Sequence, residues 1–154
     1  MAETTTTEVL FYHLERQPLE RVLPSLLQRT LERGWRAVVQ VGNSERLEAL
    51  DAHLWTYADD SFLPHGTAKD GPPDRQPILL TLDQENANGA GVRFLLDGAD
   101  MEAYAGYVRI VVIFDGRDEE AVAAARAQWQ RVKAQGCKAT YWRQSDAGRW
   151  EQKA

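Results

Sequence analysis

The stretch 107–144, YVRIVVIFDGRDEEAVAAARAQWQRVKAQGCKATYWRQ, decides the fold because its character changes twice. Residues 107–116 are a run of β-branched and aromatic residues, read as a buried strand that ends in an Asp115-Gly116 turn. Residues 118–136 give the clearest helix in the chain. Asp118 is its expected N-cap, Glu119 and Glu120 favour the positive end of the helix dipole, and Gly136 marks its stop. CKATYWRQ, 137–144, returns to β-forming residues. Strand, helix and strand in this order imply a parallel crossover.

The same alternation extends outward. TEVLFYHL (7–14), RAVVQV (36–41), PILLTL (77–82) and VRFLLDG (92–98) are further apolar, β-rich runs. Between the first two, Leu19, Val22, Leu23, Leu26, Leu27 and Thr30 fall at helical spacing, with Pro18 near the start and Gly34 at the end. Pro24 is expected to kink that helix or delay its start. A second helix, 44–55, takes Ser44 as its N-cap and lines one face with Leu47, Leu50 and Leu54. GTAKDGPPDRQP (66–77) reads as an exposed loop, and DMEAYAG (100–106) as a helical turn. The expected architecture is one domain over 1–154, α/β, with three α/β/α layers around a mostly parallel sheet; residues 1–6 are expected to be disordered. Such a sheet hosts ligands beyond the carboxyl ends of its strands.

Composition bounds the function. Hydrophobic residues at 44% and charged residues at 27% are ordinary globular values, and the longest apolar run is too short to span a bilayer. The first residues lack a basic, then apolar, signal pattern, and the lone Cys137 cannot form an internal disulfide, so a cytoplasmic protein is expected. The net charge of −5 argues against strong direct DNA binding. Charge is uneven, however: residues 126–154 hold seven bases and two acids, a local net of +5. A basic end on an acidic body favours a small acidic ligand or an acidic peptide over a long polyanion.

Catalytic chemistry is not evident. The turn after the first strand, HLERQP, has no glycine, and no G-x-x-x-x-G-K-[ST] occurs, so the phosphate cradle of a nucleotide-binding version of this fold is missing. His13, His53 and His65 share no metal-ligand spacing, and neither a metal nor another cofactor is expected. Cys137 reads as a small buried hydrophobe rather than a nucleophile. The acids of FDGRDEE suit magnesium, but a turn at Asp115 and a cap at Asp118 explain them more simply. On the last helix Val122, Ala125, Trp129 and Val132 form an apolar stripe, flanked by Arg126, Gln130 and Lys133 at i, i+4 and i+7. That is either a solvated basic face beside a core aromatic or a site where a guanidinium forks a carboxylate next to an aromatic wall.

Several pieces in order, LW (54–55), SFLPH (61–65), QPILL (76–80), VVIFDG (111–116), Ala125-Arg126 with Trp129, Lys133 and Gly136, and YW (141–142), resemble the family of chi subunits of bacterial DNA polymerase III holoenzyme. The resemblance implies a single α/β domain similar to nucleotide-binding folds, without catalytic residues. It implies an accessory role in the clamp-loader assembly, joined through a psi-like subunit and gripping the acidic C-terminal tail of single-stranded DNA-binding protein. That tail ends in an apolar residue with a free carboxylate. Carried over by position, Arg126 is the carboxylate clamp, Trp55 and Trp129 border the apolar pocket, and Lys133 adds positive charge. Phe62, Pro64 and His65 form a proline-stiffened loop that contacts the bridging subunit; for Phe62 a plug in the core is the competing reading. The other functional classes open to this sequence are a nucleotide-binding enzyme or sensor of the same fold and a scaffold subunit without tail binding.

Overall fold

The computed structural model describes residues 7–15, 17–56, 65–67, 71–72, 75–86, 88–102, 104, 106–145, 147 and 149–154. Along the chain run β1 (Glu8–Leu14), α1 (Leu19–Glu32), β2 (Ala37–Gln40), α2 (Ser44–Thr56), β3 (His65–Gly66), β4 (Ile78–Thr81), β5 (Val92–Leu96), β6 (Arg109–Asp115), α3 (Glu119–Ala134), β7 (Lys138–Gln144) and β8 (Trp150–Gln152). All eight strands join one sheet in the order β3-β4-β2-β5-β6-β1-β7-β8. Every pairing is parallel except β7 with β8. The stretch 107–144 is therefore the crossover β6–α3–β7, with β1 lying between its two strands.

Adjacent strand residues point to opposite faces, and both faces are apolar, as a sheet covered on both sides requires. On one face Val39, Leu80, Phe94 and Ile113 pack with Leu23 and Leu27 of α1 and Leu50 and Leu54 of α2. On the other, Val38, Leu79, Leu95 and Val112 pack with Ala125 and Val132 of α3 and with Met101, Tyr104 and Tyr107 of the segment between β5 and β6. The three layers match the architecture expected from the sequence.

Several local expectations need correction. Pro18 is the N-cap of α1, and the helix begins at Leu19 and runs through Pro24 without delay. Pro24 has no N–H for the Glu20 carbonyl one turn back; His53 Nε2 of α2 donates to that carbonyl instead, at 2.7 Å. Ser44 is the first residue of α2, and the cap is Asn43, whose Oδ1 accepts from Arg46 N at 2.8 Å. Asp118 caps α3 as expected, accepting from the N–H groups of Glu120 and Ala121. The helical turn expected over 100–106 is not present among its described residues. Gln135, the C-cap of α3, takes over the backbone bonding there: its Oε1 accepts from Tyr104 N at 2.8 Å and its Nε2 donates to Glu102 O at 3.0 Å. Residues 1–6, expected to be disordered, lie outside the described residues.

Candidate functional site: an aromatic cavity under the last helix

The β6-β1-β7 triplet brings three aromatic side chains to the α3 face. The parallel register sets Phe11 beside Val112 and Tyr141, and His13 beside Phe114. Above them α3 presents Val122, Ala125, Arg126 and Trp129, which helical spacing places on one side. Together they enclose a cavity of about 550 Å³, with Phe11, Phe114, Trp129 and Tyr141 as walls, Val122 and Ala125 along the helix side, and Arg126 and Gln130 at the rim. The walls hold one another edge to face: Phe11 and Trp129 lie 5.3 Å apart between ring centroids, and Trp129 and Tyr141 lie 6.3 Å apart. Lys133 Nζ sits 5.2 Å from the Trp129 centroid, a cation held over an indole face at the cavity's border. Burial pushes the Tyr141 hydroxyl above its ordinary pKa, so it remains a neutral hydrogen-bonding group.

Ion pairs sort the basic C-terminal segment. Arg131 is bonded to Asp100 and Arg143 to Glu15, while Lys138 lies 4.0 Å from Glu8 and Lys153 3.5 Å from Glu151. Arg126 is exposed and has no carboxylate partner among the described residues. It is thus an available guanidinium at the mouth of an apolar, aromatic cavity. Below Tyr141 the imidazole of His13 is buried; its Nδ1 is bonded to the Tyr141 hydroxyl and its Nε2 lies 3.1 Å from Glu15 Oε1. Glu15 is held in turn by Arg143, whose hydrogen bond lowers the Glu15 carboxyl below its ordinary pKa despite partial desolvation.

The cavity brings together two of the expected tail-binding residues, Arg126 and Trp129, with Lys133 at its border. Trp55 does not join them. It lies in the last turn of α2, on the other face of the sheet, 51% exposed, with its ring 4.5 Å from that of His65. His65 is buried in β3 at the sheet's margin, its Nε2 3.2 Å from the Asp51 carbonyl. Phe62 and Pro64 lie outside the described residues. Sequence reading missed Phe11, Phe114 and Tyr141 because each is one ring in a strand that reads as core. The available signal was strand parity together with the β6–α3–β7 crossover, which places these rings under the α3 stripe.

A second cavity, about 540 Å³, opens where ligands of nucleotide-binding sheets sit, beyond the carboxyl ends of β1, β5 and β6. Both of its arginines are engaged: Arg46 bonds Glu20 at 2.6 Å and Asp97 at 2.7 Å, and Arg117 lies 3.4 Å from Asp115. Of the two helices that begin there, α1 starts at a proline N-cap without a side-chain cap and the N-terminus of α3 is capped by Asp118. Among the described residues no three His, Cys, Asp or Glu side chains converge on a metal-sized site. Cys137 is half-buried, its Sγ donating to the Tyr104 carbonyl at 2.8 Å, and burial raises its thiol pKa. No helix among the described residues is long and apolar enough to cross a membrane.

Comparison with known proteins places this geometry in a family. Residues 6–140 match the family described as "DNA polymerase III chi subunit, HolC". The chain is also 27% identical over 111 residues, 68% of its own length and 67% of the relative's, to a protein of Rickettsia prowazekii (strain Madrid E) named "Probable DNA polymerase III subunit chi". The family match runs from just before β1 to Thr140 in β7, so it takes in β1 to β6, α1 to α3 and the cavity walls Phe11, Phe114 and Trp129, and stops one residue short of Tyr141. The chain belongs to the DNA polymerase III chi subunit family.

Proposed function

We propose that the chain is a non-catalytic accessory subunit of the clamp-loader assembly of DNA polymerase III, and that it links the assembly to the acidic C-terminal tail of single-stranded DNA-binding protein during replication. The observation that carries this reading is Arg126, unpaired among the described residues, at the rim of the cavity walled by Phe11, Phe114, Trp129 and Tyr141. A peptide that ends in an apolar residue meets both halves of the site. Its last side chain fills the aromatic cavity while its terminal carboxylate takes the Arg126 fork. Upstream acids then fall near Lys133. Trp55 and His65, at the opposite end of the sheet, are assigned to a psi-like bridging subunit rather than to the tail.

A pull-down from extract of the source cell tests the reading with the full chain and its Arg126→Ala variant as baits. Recovery of single-stranded DNA-binding protein by the first and its loss with the second, while clamp-loader subunits are retained by both, is the expected pattern. Equal recovery of single-stranded DNA-binding protein by both baits removes Arg126 from the site, and recovery by neither removes the function.

A further inference from the structure

We propose that the face of the sheet opposite the aromatic cavity carries a second binding surface, for single-stranded nucleic acid, in which Arg29, Arg33 and Arg109 meet phosphates beside Tyr12, Trp35 and Trp142. The residues come from four elements and the turn after α1 and are invisible as a cluster in the sequence. Helices α1 and α2 pack over β2, β3, β4 and β6, and the remaining margin, β1-β7-β8, is occupied on that side by aromatic rings. Tyr12 and Trp142 lie 6.3 Å apart with ring planes within 22° of parallel, and Trp150 meets Tyr12 edge-on at 4.8 Å. Beside this row Trp35 has two guanidinium groups over its ring, Arg33 at 5.9 Å and Arg109 at 5.7 Å. Arg29 faces the same cleft from α1.

The three arginines have no carboxylate within ion-pair distance among the described residues. Of the acids on the neighbouring elements, Glu8 lies 4.0 Å from Lys138 Nζ and Glu32 accepts from Gln28 Nε2 at 3.4 Å. Three unneutralised guanidinium groups beside half-buried rings are the elements of a single-strand platform: cations track the backbone while bases lie on ring faces. The cleft also tells against a peptide. Its volume is about 100 Å³, against about 550 Å³ for the cavity on the other face, too little to bury an anchoring side chain but no obstacle to a base, which needs only a surface to lie on. The net charge of −5 keeps such binding weak and confined to low and moderate salt, which is the form a locally basic patch on an acidic body takes.

The test is fluorescence anisotropy of the full chain with a labelled single-stranded oligothymidylate of roughly 20 nucleotides, enough to cover one platform of this kind. Arg29→Glu/Arg33→Glu is the main variant, because both side chains are exposed and their replacement leaves the core untouched. Trp142→Ala probes stacking, and Arg126→Ala controls for the opposite face. The expected result is binding by the wild-type chain at low salt, at least about tenfold weaker in the double charge reversal, with the slope of log affinity against log salt shallower by about 1.4, two phosphate contacts' worth. Trp142→Ala weakens binding to the oligothymidylate but not to an abasic strand of equal length, and Arg126→Ala changes neither. The proposal is overturned if the wild-type chain fails to bind, if the charge reversal binds as well as wild type, or if the abasic strand binds as tightly as the oligothymidylate. It is equally overturned if an acidic peptide displaces the strand from the wild-type surface at equal concentration.

Discussion

Replacing Gly116 by alanine puts a methyl group where the His13 imidazole already stands. A Cβ built there lies 1.8 Å from His13 Nε2, 2.1 Å from Cδ2 and 2.6 Å from Cε1. Comfortable contact begins at about 3.5 Å, so the ring cannot remain. Nor can it swing aside at little cost, since Nδ1 is bonded to the Tyr141 hydroxyl, Nε2 to Glu15, and the ring abuts Phe114 at 5.3 Å. Displacing it gives up the part-buried hydrogen bond to Tyr141, about 1 kcal/mol, adds overpacking strain of about 1–3 kcal/mol, and disturbs the cavity wall at Tyr141. The backbone itself accepts alanine, because Gly116 is not among the glycines with positive φ. We therefore expect Gly116→Ala to cost about 2–4 kcal/mol, which for a chain of this size lowers Tm by roughly 5–15 °C. Urea unfolding of the wild type, Gly116→Ala, His13→Ala and the double variant closes a mutant cycle. With the imidazole gone, Gly116→Ala should cost almost nothing. An equal cost in both backgrounds, or a cost under about 0.5 kcal/mol in the wild type, refutes the packing argument.

Arg93 is wholly buried on β5 and donates to the carbonyls of Asp83 and Glu85, the Tyr107 hydroxyl and Gln40 Oε1. Arg93→Ala leaves Gln40 Oε1 unbonded beside a cavity, so it should lower stability by about 3 kcal/mol or more in urea unfolding, with Arg93→Met, which fills the space, costing less. Burial raises the Glu20 carboxyl's pKa, but its backbone hydrogen bond and Arg46 hold the net value below 4.5, the ordinary one. Its stabilising contribution is thus present above that pH and is lost as pH falls through the lower folded-state value; Glu20→Gln should flatten the acid limb of a Tm-against-pH curve there, and an unchanged limb contradicts the assignment.

Much of the fold was legible because its determinants are local. The apolar runs of β1, β2, β4, β5 and β6, the Asp118 cap and the alternation of strand and helix are written in adjacent residues. What the sequence hid depends on distant partners. β3 is two residues long and exists through its pairing with β4, and β8 is a polar segment recruited by the edge of β7. The turn expected over 100–106 is overridden by hydrogen bonds to Gln135 at the end of α3, and Pro24 is tolerated in α1 because His53 bonds the carbonyl it leaves free. At the site, Arg126, Trp129 and Lys133 were legible from helical spacing, whereas the three strand aromatics that complete the cavity needed the register. Trp55 illustrates the converse. Its position beside a leucine gives no sign of which sheet face its helix covers, and that face proves to be the other one.

The central claim, that an acidic peptide docks with its carboxylate on Arg126 and its last side chain in the aromatic cavity, is tested most directly by calorimetric titration of a peptide ending in Ile-Pro-Phe into the wild-type chain and Arg126→Ala. A charge-assisted contact is worth about 1.5–3 kcal/mol, so the variant should bind roughly ten- to a hundredfold more weakly, and added salt should narrow that gap. Equal affinity for the two proteins contradicts the account.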